Sequence, residues 1–91
     1  MLTIFWDVDA RNHFLDQINY IAERDQAAAD DLYADVEYSV SNAASNPNLY
    51  APWTLPNTHL LVVRDNYVIV YEATDKECIV RIFDHARQGN H

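Results

Sequence analysis

The chain has 91 residues, 49% of them hydrophobic, and 14 acids against six Lys and Arg for a formal charge of −8. That length supports one core, so a single domain over residues 1–91 is expected, and six Tyr, three Phe and two Trp exclude a disordered chain. A strongly acidic protein with one Lys is poorly equipped to neutralise phosphates, the single Cys78 excludes an internal disulfide, and no segment approaches the roughly 20 apolar residues of a bilayer span.

Leu2-Thr3-Ile4-Phe5-Trp6 opens the chain with β-branched and aromatic residues and is stopped by Asp7, which predicts a short strand. From Ala10 the period changes. Ala10, Phe14, Ile18, Ile21 and Ala22, with Leu15 beside them, recur at three- and four-residue spacing, predicting a helix to about Arg24 with Asp9 as its N-cap. Asp25 can cap a second helix, in which Ala29, Leu32, Tyr33, Val36, Val40 and Ala43 repeat the spacing to about Asn42 or Ala44. The short joint makes the two helices an antiparallel hairpin.

Residues 45–58 contain all three prolines and several Asn, so a loop with at most one helical turn is expected. Three strands follow: Leu60 to Val63, Tyr67 to Glu72, and Cys78 to Phe83, separated by turns at Arg64-Asp65-Asn66 and over Thr74 to Glu77. They form an antiparallel meander, with Tyr67, Ile69 and Tyr71 on one face and Val68, Val70 and Glu72 on the other. The fold class is α+β in the order β-α-α-β-β-β. No leader-like segment opens the chain, and a cytoplasmic protein is expected.

Charge is divided unevenly. Residues 1–45 hold nine acids against Arg11 and Arg24, whereas the remainder holds five against Arg64, Lys76, Arg81 and Arg87. An acidic surface of this kind suits a protein partner better than nucleic acid, although it also serves solubility. The cluster Asp30, Asp31, Asp35 and Glu37 has the same two readings, attraction of a basic partner segment or a solvated helix face.

Several stretches together carry a resemblance to a known family. Ala10-Arg11-Asn12 begins the first helix, Ile18-Asn19-Tyr20-Ile21-Ala22-Glu23-Arg24 ends it, and Gln26-Ala27-Ala28-Ala29 starts the next. Leu61-Val62-Val63 through Tyr67-Val68-Ile69-Val70-Tyr71-Glu72 and the closing His85-Ala86-Arg87-Gln88 complete the set. In combination these resemble the ParE branch of the ParE/RelE superfamily of type II toxins over nearly the whole chain. The resemblance implies a strand, a helical hairpin and a three-stranded antiparallel sheet, and an antitoxin that wraps and silences the toxin. It implies DNA gyrase as the target, inhibited by binding rather than catalysis, with no cofactor. RelE-like relatives instead cut messenger RNA on the ribosome, and a third reading is a relic that docks its antitoxin and helps repress its operon. Two departures stand out: His59 where the family has Arg, and Asp84 just before His85.

For RNA cleavage the candidate acid, base and cation groups are His59, Tyr71, Arg81, His85 and Arg87. For target binding the candidates are His59, Arg81, His85 and Arg87, the last two as a polar tip or simply an exposed terminus. Trp53 in the proline-bounded loop is either a partner anchor or a cap on the open end of the helical hairpin. Tyr20, Tyr33 and Tyr38 either face an antitoxin or are aromatics at the edge of the core. The four His show no i, i+4 pair and no nearby Cys, so no metal site is expected, and Cys78 is expected to be a buried thiol.

Overall fold

The computed structural model describes residues 1–86, so Arg87 of the predicted set lies outside the described residues. Seven elements follow in order: β1 (Thr3–Trp6), α1 (Val8–Ala22), α2 (Gln26–Ser45), β2 (Ala51–Pro52), β3 (Thr58–Val63), β4 (Tyr67–Ala73) and β5 (Glu77–His85). One sheet contains all five strands in the order β1-β5-β4-β3-β2. The predicted meander is its centre, with β3, β4 and β5 paired antiparallel.

The sheet is wider than three strands for two reasons. β1 pairs parallel with β5, the amides of Thr3 and Asp7 donating to the carbonyls of Lys76 and Val80 at 3.0 and 2.9 Å. Sequence periodicity cannot show such a pairing, because it joins residues more than 70 positions apart. Second, Ala51-Pro52 forms a two-residue strand against Leu60 and His59, placed at the sheet edge where a proline's missing N–H costs nothing. The rest of the segment is the loop expected, without a helical turn.

α1 begins at Val8, with Asp7 rather than Asp9 at the N-cap position. The Asp7 side chain makes no cap bond, because both its carboxylate oxygens accept from Arg81 Nη1, at 2.9 and 3.2 Å. Asp9 lies in the first turn, where the helix dipole favours a carboxylate. The predicted Asp25 cap of α2 is present, its side chain accepting from the Ala28 amide at 3.1 Å. Between β3 and β4, Arg64 and Asp65 both adopt positive φ, 57° and 60°, so the hairpin turns with the primed geometry that matches strand twist.

The helical hairpin covers one face of the sheet. Ala29, Leu32, Val36, Val40 and Ala43 of α2 are buried as their spacing predicts, and the last four pack in one core with Leu61, Val63, Tyr67, Ile69, Tyr71, Cys78, Val80 and Phe83. Tyr33 departs from its stripe and is half-exposed. Phe14 is the hub: its ring lies 5.1 Å from Trp6, 5.2 Å from Tyr33 and 5.1 Å from Phe83, joining β1, both helices and β5. Val68 and Val70, on the alternate face of β4, are also buried but lie outside that core.

Two acids of the core are held neutral. Burial, reinforced by Cys78 and Tyr50, pushes the Tyr71 phenol up to about 12, and burial pushes the Cys78 thiol up to about 11. The unfolded chain ionises at the lower ordinary values, so this contribution to stability is intact below them and is lost as pH rises through the folded ones. Thermal unfolding followed from about pH 7 upwards is therefore expected to be flat to about 9 and to fall between about 9 and 12, with Cys78→Ala moving the start of the fall upward. An unchanged onset in Cys78→Ala would contradict the assignment.

Candidate functional site

The sheet separates the residues selected from sequence for target binding. Arg81 is skipped by the strand register, since Val70 faces Ile82 while Tyr71 faces Val80, and this irregularity turns its side chain to the uncovered face. There its guanidinium bridges Glu72 at 2.8 Å and Asp7 at 2.9 Å, tying β5 to β4 and to the start of α1. The bond to Glu72, followed by the field of Asp7, raises its already high pKa further. Arg81 is thus engaged by two carboxylates of its own chain.

His59 lies on the helix-covered face at the far end of β4. Its ring stacks 5.0 Å from Tyr71, and Nδ1 donates to the Tyr50 carbonyl at 3.0 Å, pinning the proline-bounded loop to β3. The Tyr71 hydroxyl adds a bond to the Pro47 carbonyl at 2.7 Å. Trp53 sits beyond this in the same loop, with its amide donating to Thr58 O, and is half-buried. His85 pairs instead with Tyr67, four positions from Tyr71 along β4. That separation is roughly 13 Å along a strand, so His59, Arg81 and His85 do not converge.

A different set does converge. A cleft of about 370 Å³ opens between α1 and the end of the β4–β5 hairpin, lined by His13, Asp16, Gln17 and Tyr20 on one side and Tyr67, Phe83, Asp84 and His85 on the other. Its floor is aromatic: Tyr67 stacks on Phe83 at 5.6 Å and meets His85 edge-on at 5.2 Å. Gln17 Nε2 donates to the Tyr67 hydroxyl at 3.2 Å across the two walls. Asp84 accepts from the His85 amide at 2.8 Å, which fixes its carboxylate. Of the predicted residues that the structure describes, only Tyr20 and His85 meet here. Tyr33 lines a second, smaller cleft with Trp6, Arg11, Phe14, Leu15 and Glu37.

The α1 wall was open to recognition from sequence. His13, Asp16, Gln17 and Tyr20 follow one another at three, one and three residues, a polar stripe on one helix face beside the apolar one. The opposite wall was not, because nothing local places residues 83–85 against α1.

Chemically, the cleft has two imidazoles and, among the described residues, no Lys or Arg. The two carboxylates, Asp16 and Asp84, would repel a phosphodiester brought here, and the described lining supplies no Lys or Arg for its transition-state charge. Among the described residues no group of three or more His, Cys, Asp or Glu could hold a metal ion, and no helix is long and apolar enough to cross a membrane. Carboxylates beside aromatic rings are groups that can contact a cation or a planar apolar group.

A helical hairpin thus packs on one face of an open five-stranded sheet in which the first and last strands pair in parallel. A chain described as "Chromosomal ParDE TA system from P. aeruginosa" superposes with a TM-score of 0.75 at 15% identity, covering 93% of this chain and 96% of that one. The family model for the ParE toxin of type II toxin-antitoxin systems, parDE, matches residues 4–89, and the chain belongs to that family. No curated protein sequence matches it.

Because Arg81 serves three elements at once, Arg81→Met is expected to destabilise the fold by about 1 kcal/mol, a fall of roughly 4–8 °C in Tm for a domain of this size. The pairs are partly exposed, so molar salt should shrink the difference. An Arg81→Met protein as stable as the parent in low salt would show that the bridge contributes nothing.

Proposed function

We propose that this toxin inhibits DNA gyrase by binding it, without catalysis, and that a cognate antitoxin neutralises it by covering the same molecule in the cytoplasm. The observation that carries this reading is the composition of its cleft. A member of the ParE family whose best-formed concave site joins aromatic rings to two carboxylates is suited to grip protein. It is unsuited to hold RNA, and direct nucleic-acid binding by the toxin alone is not part of the proposal.

Charge supports the same target. Enzymes that handle DNA carry cationic surface to neutralise phosphates, and a −8 protein with most of that charge in its helical hairpin is electrostatically complementary to it. Tyr20, with 55% of its surface exposed, and Tyr38, with 71%, stand on the hairpin as aromatic contacts for either partner. Among the described residues the ribonuclease reading is short of free cations: Arg81 is committed to Asp7 and Glu72, and His59 to the Tyr50 carbonyl.

Purified protein at micromolar concentration is expected to block supercoiling by purified gyrase and to accumulate cleaved DNA. Uninhibited supercoiling at that concentration would remove gyrase as the target. If the same preparation still bound its antitoxin, the chain would be assigned as a relic.

A further inference from the structure

We propose that the cleft between α1 and the end of β5 is a receptor for a single arginine side chain, presented by the gyrase surface that the toxin engages. The inference rests on the gyrase reading and adds to it the residue type that the cleft recognises.

The lining selects the ligand. Asp16 reaches the cleft from α1 and Asp84 from β5, and among the described residues neither is ion-paired. The exposed Tyr20 and the half-buried His85 supply ring surface above the buried Tyr67 and Phe83. A planar cation satisfies both features at once, since a guanidinium stacks on aromatic faces while its five donors point outward in its own plane to carboxylates. An ammonium makes poorer use of the flat walls because it is compact and strongly hydrated. Anions are excluded by the two aspartates.

The molecule already shows one half of this recognition. Arg24 places its guanidinium 3.9 Å from the centroid of the Tyr20 ring, while its Nη1 donates to the Tyr20 carbonyl at 2.9 Å. Arg24 does not line the cleft, so its charge does not occupy the space between the aspartates. The volume of about 370 Å³ falls at the lower end of the roughly 300–1,000 Å³ found for ligand sites, which suits one long side chain. Gln17 and Tyr67, bonded to each other across the walls, hold the cleft open before anything enters. A preformed site does not spend binding energy on ordering itself.

The test has two arms on the full-length protein. In the first, N-acetyl-arginine amide is titrated into isotopically labelled protein and amide shifts are followed by NMR, with N-acetyl-citrulline amide as the neutral isostere and spermidine as a non-planar cation. Saturable shifts at Gln17, Tyr20, Tyr67 and His85 with the arginine probe alone are expected, weakened at least about tenfold by Asp16→Asn/Asp84→Asn. Equal binding of citrulline or spermidine, or no saturable shift, overturns the proposal. Binding that emerges only in Arg87→Gln would assign the cleft to this chain's own terminus and equally overturn it.

In the second arm gyrase supercoiling is measured. Asp16→Asn/Asp84→Asn is expected to need about tenfold more protein for half inhibition, whereas Asp65→Asn/Asp75→Asn, which removes two charges outside the cleft, matches the parent. Parent-like inhibition by the cleft variant overturns the arginine receptor while leaving the gyrase reading intact. Failure of the parent itself to inhibit is a failure of the gyrase reading. Tyr20→Ala, at an exposed helix position, gives a second cleft variant should the double substitution unfold.

Discussion

The parallel pairing of β1 with β5 is the constraint from which the rest of the structure follows. It brings Thr3–Trp6 beside Glu77–Val80, so everything between them must leave the sheet and return. α1 follows β1 after one residue, Asp7, and therefore has to cross the face of β5 at close range. Phe14 fixes that crossing by packing between Trp6 and Phe83, and Arg81 fixes it from the other side of the sheet by holding Asp7. Burying a ring of Phe14's size is worth roughly 1.5–3 kcal/mol, while an exposed bridge such as Arg81 to Asp7 is worth no more than about 1, so packing dominates and charge refines the register.

The same crossing creates the cleft. Past Phe14 the helix continues over the end of β5, where the strand carries Asp84 and His85 in place of further apolar residues. The walls can no longer close by apolar packing, and the gap between them is lined by what each element offers there. Asp84, which departs from the family pattern, is thereby a contributor to a site. His59, the other departure, is an internal fastener between the proline-bounded loop and the sheet.

Much of the fold was legible in local pattern. The 3.6-residue stripe of α2 from Ala29 to Ala43, the Asp25 cap and the alternation of Tyr67 to Glu72 all rest on neighbours within a few positions, and all are present. What could not be read depends on partners far away in sequence. Asp7, not Asp9, holds the N-cap position, and its carboxylate is drawn away from the helix amides by Arg81, 74 residues later. β1 joined a sheet whose predicted strands it does not adjoin in sequence, and Ala51-Pro52 was recruited to an edge only once β3 existed to receive it. The site was hardest: of His59, Arg81, His85, Tyr20, Tyr33 and Trp53, only Tyr20 and His85 share a cavity. Residue type suggested chemistry for each, but two faces and opposite ends of one sheet keep the others apart.

Fold alone does not separate a toxin that grips a protein from one that cuts RNA, because the scaffold serves both and the difference lies in side chains. Here the cations are committed elsewhere or outside the described residues, and the cleft offers carboxylates and rings. The most direct measurement is the state of plasmid DNA in cells expressing the chain, lysed with detergent and treated with protease to release DNA from any trapped enzyme. Accumulation of linear plasmid, abolished when the antitoxin is co-expressed, is the result this account predicts. Intact supercoiled plasmid together with newly cut messenger RNA would contradict it.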